Sequence, residues 1–286
     1  MSIPQLFAQK KPVISLEVFP PKPESPLSVI DQTLSQLSGL KPDYISVTDG
    51  AGGTTTHRTT EIAHRIQQDC GCPALGHFTC VGADNASIDA RLEAFAQSGV
   101  QTILALRGDV PKGMDPEKAF IHFRYASSLI QRIKAHGGFA VAAACYPEGH
   151  MESPDQDSDL KHLKLKVDVG AELLVTQLFF SNDAFYDFLD KARAIGIHVP
   201  VTAGIMPVLD ANQILRMTTL CGASIPAALS KIIARYKDPA DFAKAGLDYC
   251  CEQIRDLLRN DVNGIHLYTM NRAKSITAIL METGLR

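Results

Sequence analysis

Residues 160–179 read LKHLKLKVDVGAELLVTQLF. In the first half Leu160, Leu163 and Val167 recur at helical spacing among charged neighbours. Gly170 follows, and a residue without a Cβ suits the left-handed position just past a helix end. From Leu173 onward the segment is short and apolar, as expected of a parallel strand covered by helices. The stretch therefore encodes one helix, one stop and one buried strand.

The same unit recurs along the chain. Helix-ending glycines are expected at Gly39, Gly71, Gly99, Gly137, Gly170 and Gly196, with Gly264 before the last strand. Strands are expected over 13–19, 44–48, 74–80, 102–107, 140–146, 173–179, 199–205 and 264–268. Between them, apolar residues keep helical spacing, as at Ile30, Leu34 and Leu37, at Ile88, Leu92 and Phe95, and at Phe185, Phe188 and Leu189. Eight strands alternating with helices predict a parallel α/β sheet, and units of this size close naturally as a (β/α)8 TIM barrel. A doubly wound open sheet is the alternative. The seventh unit is longer: residues 224–259 supply extra helices before the eighth strand, broken at Pro226 and at Asp238-Pro239. No linker, low-complexity stretch or charge block divides the 286 residues, so a single catalytic domain over 1–286 is expected.

Composition narrows the function. A formal net charge of −3 gives no electrostatic footprint for nucleic acid or an anionic membrane. No apolar run approaches the ~18 residues of a membrane span, and the first residues do not resemble a signal peptide. A cytoplasmic enzyme acting on small molecules is expected. The seven cysteines are irregularly spaced, without a second metal-spaced pair. They read as free thiols in a reducing compartment, and no metal is expected.

In a barrel of this kind the chemistry sits at the carboxyl ends of the strands. In the first strand, Ile14, Leu16 and Val18 would face the helices, and Ser15 and Glu17 the interior. A carboxylate there is costly unless paired or protonated. Glu17 is either a general acid with a raised pKa or half of an ion pair with a buried Lys or Arg. The second strand ends Ser46-Val47-Thr48-Asp49-Gly50-Ala51-Gly52-Gly53, a turn that lacks the P-loop lysine. The third carries His77 and Thr79, and a lone histidine there is usually a hydrogen-bonded core residue. The fourth ends Leu106-Arg107-Gly108-Asp109. The fifth runs into Tyr146 and His150, the sixth carries Gln177, and the eighth leads to Arg272. Polar groups at six or more strand ends favour one convergent active site over scattered structural roles.

Taken in order, these segments resemble the methylenetetrahydrofolate reductase family in its bacterial single-domain form. The matching residues are Leu16-Glu17-Val18-Phe19-Pro20-Pro21, Ser46-Val47-Thr48, His77-Phe78-Thr79-Cys80 and Ala105-Leu106-Arg107-Gly108-Asp109. They continue with Tyr125-Ala126-Ser127, Tyr146-Pro147-Glu148-Gly149-His150, Lys166-Val167-Asp168-Val169-Gly170-Ala171, Thr176-Gln177 and Tyr268-Thr269-Met270-Asn271-Arg272.

The resemblance implies FAD at the top of the barrel. A nicotinamide donor, NADH or NADPH, would reduce the flavin, which would then reduce 5,10-methylenetetrahydrofolate to 5-methyltetrahydrofolate in ping-pong order. That places the chain in one-carbon metabolism and methionine biosynthesis. Glu17 matches the general acid that protonates folate N10. Asp109 matches the carboxylate near flavin and pterin, and Gln177 and Arg272 match substrate contacts. Thr48, Asp49, Ala51, His77, Arg107, Gly108, Asp109, Tyr125, Ala126, Tyr146, His150, Asp159 and Lys166 stand at flavin-contacting positions.

There are departures. The aromatic residue that stacks on folate or nicotinamide in relatives falls near Ala211, with Leu209 beside it. His162 and Leu165 replace polar contacts to the adenylate end. Asp49 stands where an aromatic residue is common. The chain stops after the barrel, so inhibition by adenosylmethionine is not expected. A homo-oligomer is expected. The alternatives are a flavin-binding subunit fed by an electron-transfer partner protein, and a flavin-free pterin-binding methyltransferase barrel.

Overall fold

A computed structural model describes residues 2–49, 56–111 and 113–286. Eight strands form a closed barrel in sequence order, every pairing parallel. They are β1 (Val13–Val18), β2 (Tyr44–Val47), β3 (Ala74–Thr79), β4 (Thr102–Leu106), β5 (Ala140–Cys145), β6 (Leu173–Thr176), β7 (Val201–Ile205) and β8 (Gly264–Tyr268). The TIM barrel is thus the observed architecture, and the open sheet is excluded by the pairing of β1 with β8.

Most strands end a residue or more before the expected limits. The departing chain still pairs briefly: Thr48 donates its N–H to Val18 O at 3.1 Å, and Gln177 donates to Cys145 O at 2.7 Å. Past those points the backbone splays into the βα loops. At the start of β7, Pro200 has no N–H to donate and serves as an acceptor for Leu174 N at 2.9 Å.

Strand alternation divides the core into two layers. Ile14, Leu16 and Val18 join Ile103, Ala105, Val141 and the helix residues Leu34, Leu92 and Phe188 between barrel and helices. Val13, Tyr44, Leu75, Leu104, Leu173 and Val175 fill the lower barrel, which the short helix Ile3–Leu6 plugs through Ile3.

The extra helices before β8 are Ala227–Arg235 and Pro239–Arg259, the second capped by Asp238 on Ala240 N and Asp241 N. A third cluster, with Phe180, Met206, Val208, Leu229 and Phe242, joins them to the β6 and β7 ends. Gly246 makes this approach feasible, because a Cβ there would lie 1.9 Å from the Val208 carbonyl oxygen. None of the described helices is long and apolar enough to cross a membrane.

Two of the expected stop glycines act otherwise. Gly39 is right-handed at φ −57°, and Lys41 takes the left-handed position at φ +48°. Gly264 lies inside β8, where a Cβ would meet Val13 O at 2.7 Å; Asp261, at φ +56°, follows the long helix instead. Close packing, rather than helix termination, requires glycine at 264.

Candidate active site

Register brings three barrel residues onto one oxygen of Glu17. Glu17 pairs with Ser46 across β1–β2 and with Tyr268 across β1–β8. Glu17 Oε2 accepts from Ser46 Oγ at 3.4 Å and lies 3.2 Å from His266 Nε2 and 3.3 Å from His77 Nε2. All four side chains are buried. Below them, Ser15 Oγ is 2.8 Å from His266 Nδ1.

The expected raised pKa of Glu17 is not what this arrangement produces. Burial pushes it up, but His77 and His266 outweigh burial and hold the carboxyl at about 2. Among the described residues no Lys or Arg forms the expected ion pair, and imidazoles take that place.

The end of β1 is clasped by the turn after β8. Thr269 Oγ1 donates to Glu17 O at 2.5 Å. The Asn271 side chain accepts from Phe19 N at 3.0 Å and donates to Phe19 O at 2.9 Å. Met270 and Asn271 both take positive φ, +50° and +55°, a costly backbone for such residues that this clasp sustains. The turn leaves Arg272 exposed at the N-cap of helix Ala273–Glu282.

A cavity of about 960 Å³ opens between the β4 and β5 ends and helices Ala126–His136 and Gln156–Asp168. Its lining includes Arg107, Tyr125, Ala126, Tyr146, His150 and Lys166, together with Asp159. Lys166 donates to Ala144 O at 2.9 Å and, among the described residues, joins no ion pair. Its enclosure pushes the ammonium pKa below the ordinary lysine value, opposed by Asp159. Burial also pushes Tyr146 up, assisted by Asp159 and Asp109. His150 is pushed down by burial and then by Arg107. Tyr125 and His162 stack at 6.0 Å at the mouth, beside exposed Leu165. An unpaired ammonium, a guanidinium and aromatic faces suit a ligand with anionic and planar parts.

The remaining expected residues lie on the rim or elsewhere. Gly108 takes φ +84°, and a Cβ there would stand 2.7 Å from Val81 Cγ1, so the chain can turn here only as glycine. Asp109 is exposed beside it. Gln177 is half-buried, its Oε1 accepting from Leu178 N at 2.9 Å. Thr48 is half-buried, and its carbonyl accepts from Thr59 Oγ1 at 3.0 Å. Asp49 turns into the wall, 2.6 Å from Arg91, whose guanidinium lies over Phe78 at 4.0 Å. Ala51 lies outside the described residues. Ala211 opens helix Ala211–Cys221, with Asp210 as cap, and offers no ring at that point.

Three contributing residues carry little or no local signal. His266 lies in the eighth strand, where only its period-two relation to Gly264 and Tyr268 marks the interior face. Glu152, which pairs with Arg107, has none. Asn271 stands in the turn after β8, and its clasp on Phe19 depends on a contact 252 residues away.

The methylenetetrahydrofolate reductase profile matches residues 2–284. An Arabidopsis thaliana protein, "Methylenetetrahydrofolate reductase (NADH) 1", is 37% identical over 97% of this chain and 49% of its own length. The chain thus spans about half the length of the plant and fungal relatives it matches. An Escherichia coli 5,10-methylenetetrahydrofolate reductase is 32% identical, with 96% of this chain and 91% of that protein aligned. Among solved structures, a Clostridium thermocellum protein described as binding two copies of 5-methyl-5,6,7,8-tetrahydrofolic acid has a TM-score of 0.64. It is 17% identical and covers 98% of this chain and 96% of its own, a likeness of fold alone. A 2,3-dimethylmalate lyase likewise shares the barrel, at a TM-score of 0.53 and 10% identity, covering 98% of this chain and 85% of its own. On the full-length profile match and these identities, the chain belongs to the methylenetetrahydrofolate reductase family.

Proposed function

We propose that this chain reduces 5,10-methylenetetrahydrofolate to 5-methyltetrahydrofolate with FAD, using electrons from a nicotinamide donor, in the cytoplasm. One observation carries the reading: the barrel that encloses the carboxylate of Glu17 also opens, at the β4 and β5 ends, a large cavity with Arg107 and Lys166 in its lining. The family's relatives named as reductases, and the fold neighbour described as binding a methylated folate, support the same substrate class.

The cavity residues fit FAD. About 960 Å³ accommodates the adenosine and pyrophosphate end, and the unpaired ammonium of Lys166 calls for an anion. Arg107 and Lys166 would hold the pyrophosphate, Tyr125 and His162 would offer aromatic faces to the adenine, and Tyr146, His150, Asp159 and Ala126 would complete the walls. Thr48, Asp49, His77, Gly108 and Asp109 would extend the flavin contacts along the strand ends, and Ala51, outside the described residues, is expected to join them. When bound, FAD supplies hydride transfer.

The chain's own groups do the rest. Glu17, ionised at rest beside His77 and His266, would take up a proton once folate is bound and pass it to N10, which breaks the N10–methylene bond and leaves a carbon ready to accept hydride. Asp109 and Gln177 hold the pterin by hydrogen bonds. Arg272 at the rim attracts the substrate's carboxylates.

Anaerobic spectroscopy tests the reading. Protein reconstituted with FAD should be bleached by NADH or NADPH and recoloured by methylenetetrahydrofolate. Glu17→Gln should keep the bleaching and lose the recolouring by about 10²-fold or more. A protein that takes up no flavin would favour a methyltransferase-like pterin barrel. Bound flavin that neither nucleotide reduces would point to a protein electron donor.

A further inference from the structure

Strand alternation aims Gln177 at the barrel mouth. Leu173 and Val175, on the same face of β6, fill the lower barrel, and Gln177 stands one step above them, half-buried. The next residue fixes which end of its amide is free. Leu178 N–H, which can only donate, meets Gln177 Oε1 at 2.9 Å. The side-chain nitrogen is the end left over, and among the described residues it has no partner. An amide NH2 only donates, so a ligand atom at this point must be an acceptor, a carbonyl oxygen or an unprotonated ring nitrogen.

Both polar atoms of the Thr176–Gln177 peptide are held. Gln177 N donates to Cys145 O at 2.7 Å, and Thr176 O accepts from the Tyr268 hydroxyl at 2.7 Å. The register between β6 and β7 ends at Val175 and Thr202, so this carbonyl lies just past the paired strands. Gly204 N donates to Thr176 Oγ1 at 2.8 Å. Tyr268 reaches the carbonyl from β8 by crossing β7, which lies between β8 and β6. It can cross because Gly204 intervenes: a Cβ there would stand 2.5 Å from Thr176 O and 2.9 Å from both Cε2 and the hydroxyl of Tyr268. His266 meets the tyrosine ring edge-on at 5.2 Å. Burial, and then Glu17, push the phenol well above its ordinary pKa, so it remains a donor.

We propose that Tyr268 is a positioning residue that, through the Thr176–Gln177 peptide, sets Gln177 as a hydrogen-bond donor towards the pterin ring of the folate. The proposal rests on the folate-reductase reading. The pyrimidinone edge of a pterin carries a carbonyl oxygen and an unprotonated ring nitrogen, the acceptors that the free NH2 requires. Rotation of the Thr176–Gln177 peptide plane would swing the glutamine side chain away from them. The tyrosine hydroxyl on one side and Cys145 O on the other resist that rotation. Tyr268 acts on the substrate only through Gln177 in this scheme, and Gly204 is what lets it reach.

Two measurements test it. The first is a double-mutant cycle on FAD-loaded protein, reduced with dithionite and reoxidised by methylenetetrahydrofolate in anaerobic stopped flow. Tyr268→Phe should raise the half-saturating folate concentration about tenfold, the loss of one well-placed hydrogen bond, and change the limiting rate less than about threefold. Gln177→Met should raise it at least as much. The double variant should match Gln177→Met within about twofold, because the tyrosine has nothing left to position. Penalties that multiply, or a half-saturation in Tyr268→Phe within about twofold of wild type, would mean that the tyrosine only packs the barrel, and would overturn the proposal. The second measurement needs no variant and decides the matter if Tyr268→Phe does not fold: a crystal of the FAD-loaded wild type with 5-methyltetrahydrofolate. Gln177 Nε2 should lie within hydrogen-bond distance of a pterin acceptor, with Oε1 still on Leu178 N and Tyr268 still on Thr176 O. A Gln177 that offers Oε1 to the ligand, or a Tyr268 released from the carbonyl, would overturn it. Wild-type reduced flavin that folate fails to reoxidise would remove the underlying reading, a failure visible before any variant is made, and the proposal with it.

Discussion

Glu152 grips Arg107 with both carboxylate oxygens, at 2.5 and 2.7 Å, on the wall of the cavity that suits FAD. The Glu152 side chain is 63% exposed and that of Arg107 22%, so the carboxylate can swing into water at small cost while the guanidinium stays in the wall. Glu152 thus occupies the site where an anionic ligand would pair. Exposed pairs of this kind contribute about 0.2–1 kcal/mol. Glu152→Gln should therefore raise the affinity of the flavin-free protein for ADP by about two- to fivefold. Titration calorimetry at low and high salt checks this, and weaker ADP binding in the variant would contradict it.

Lys166 makes the complementary case. Burial depresses its pKa from the ordinary 10.5. Such a lysine costs stability while charged, and stability rises as pH climbs from the folded to the unfolded value. Lys166→Met should raise the thermal midpoint of the flavin-free protein by on the order of 2 °C at neutral pH and abolish measurable ADP binding. Scanning calorimetry reads the first effect and ligand titration the second. A lower midpoint would show that the ammonium is better compensated than its hydrogen bond to Ala144 O indicates.

Glu17 makes acid stability testable. Its folded pKa of about 2 lies below the ordinary 4.5. Between those values the unfolded chain binds the extra proton, so this contribution is complete above the ordinary carboxylate range and is lost as pH falls towards about 2. Glu17→Gln lacks it. The urea midpoint of the variant should change less between about pH 6 and about pH 3 than that of the wild type. Parallel losses in the two proteins would mean that the histidines do not hold the carboxyl down.

Two glycines separate close packing from backbone strain. At Gly246 a Cβ would stand 1.9 Å from Val208 O, backbone that cannot give way. At Gly137, φ is +82° but nothing lies within 4 Å of a Cβ. Gly246→Ala should cost about 3 kcal/mol or more, because two elements must separate, and Gly137→Ala about 1 kcal/mol from the dihedral alone. Denaturant midpoints of the two variants give the order directly.

The barrel was legible because its signals are local. Helical spacing at Leu160, Leu163 and Val167, the stop at Gly170 and the apolar run from Leu173 each depend on a few neighbouring residues. Strand alternation put Glu17 and Ser15 on the interior face, and strand ends put Arg107 and Tyr146 on one rim, whereas Lys166, inside helix Gln156–Asp168, was marked only by the resemblance. Resemblance then gave those residues expected tasks. Local signals misled where packing rather than a turn demanded glycine, as at Gly264.

The sequence by itself determined the eight units, the interior position of Glu17 and the polar rim. Only the tertiary structure decided the electrostatic state of that carboxylate, because its partner His266 is 249 residues away and becomes a neighbour when β8 closes on β1. The same holds for Arg107 and Glu152, 45 residues apart on different loops. Periodicity records which face a side chain takes. Which charges it meets there depends on register and closure, and at distances of about 3 Å those charges outweigh the desolvation that the sequence alone could foresee.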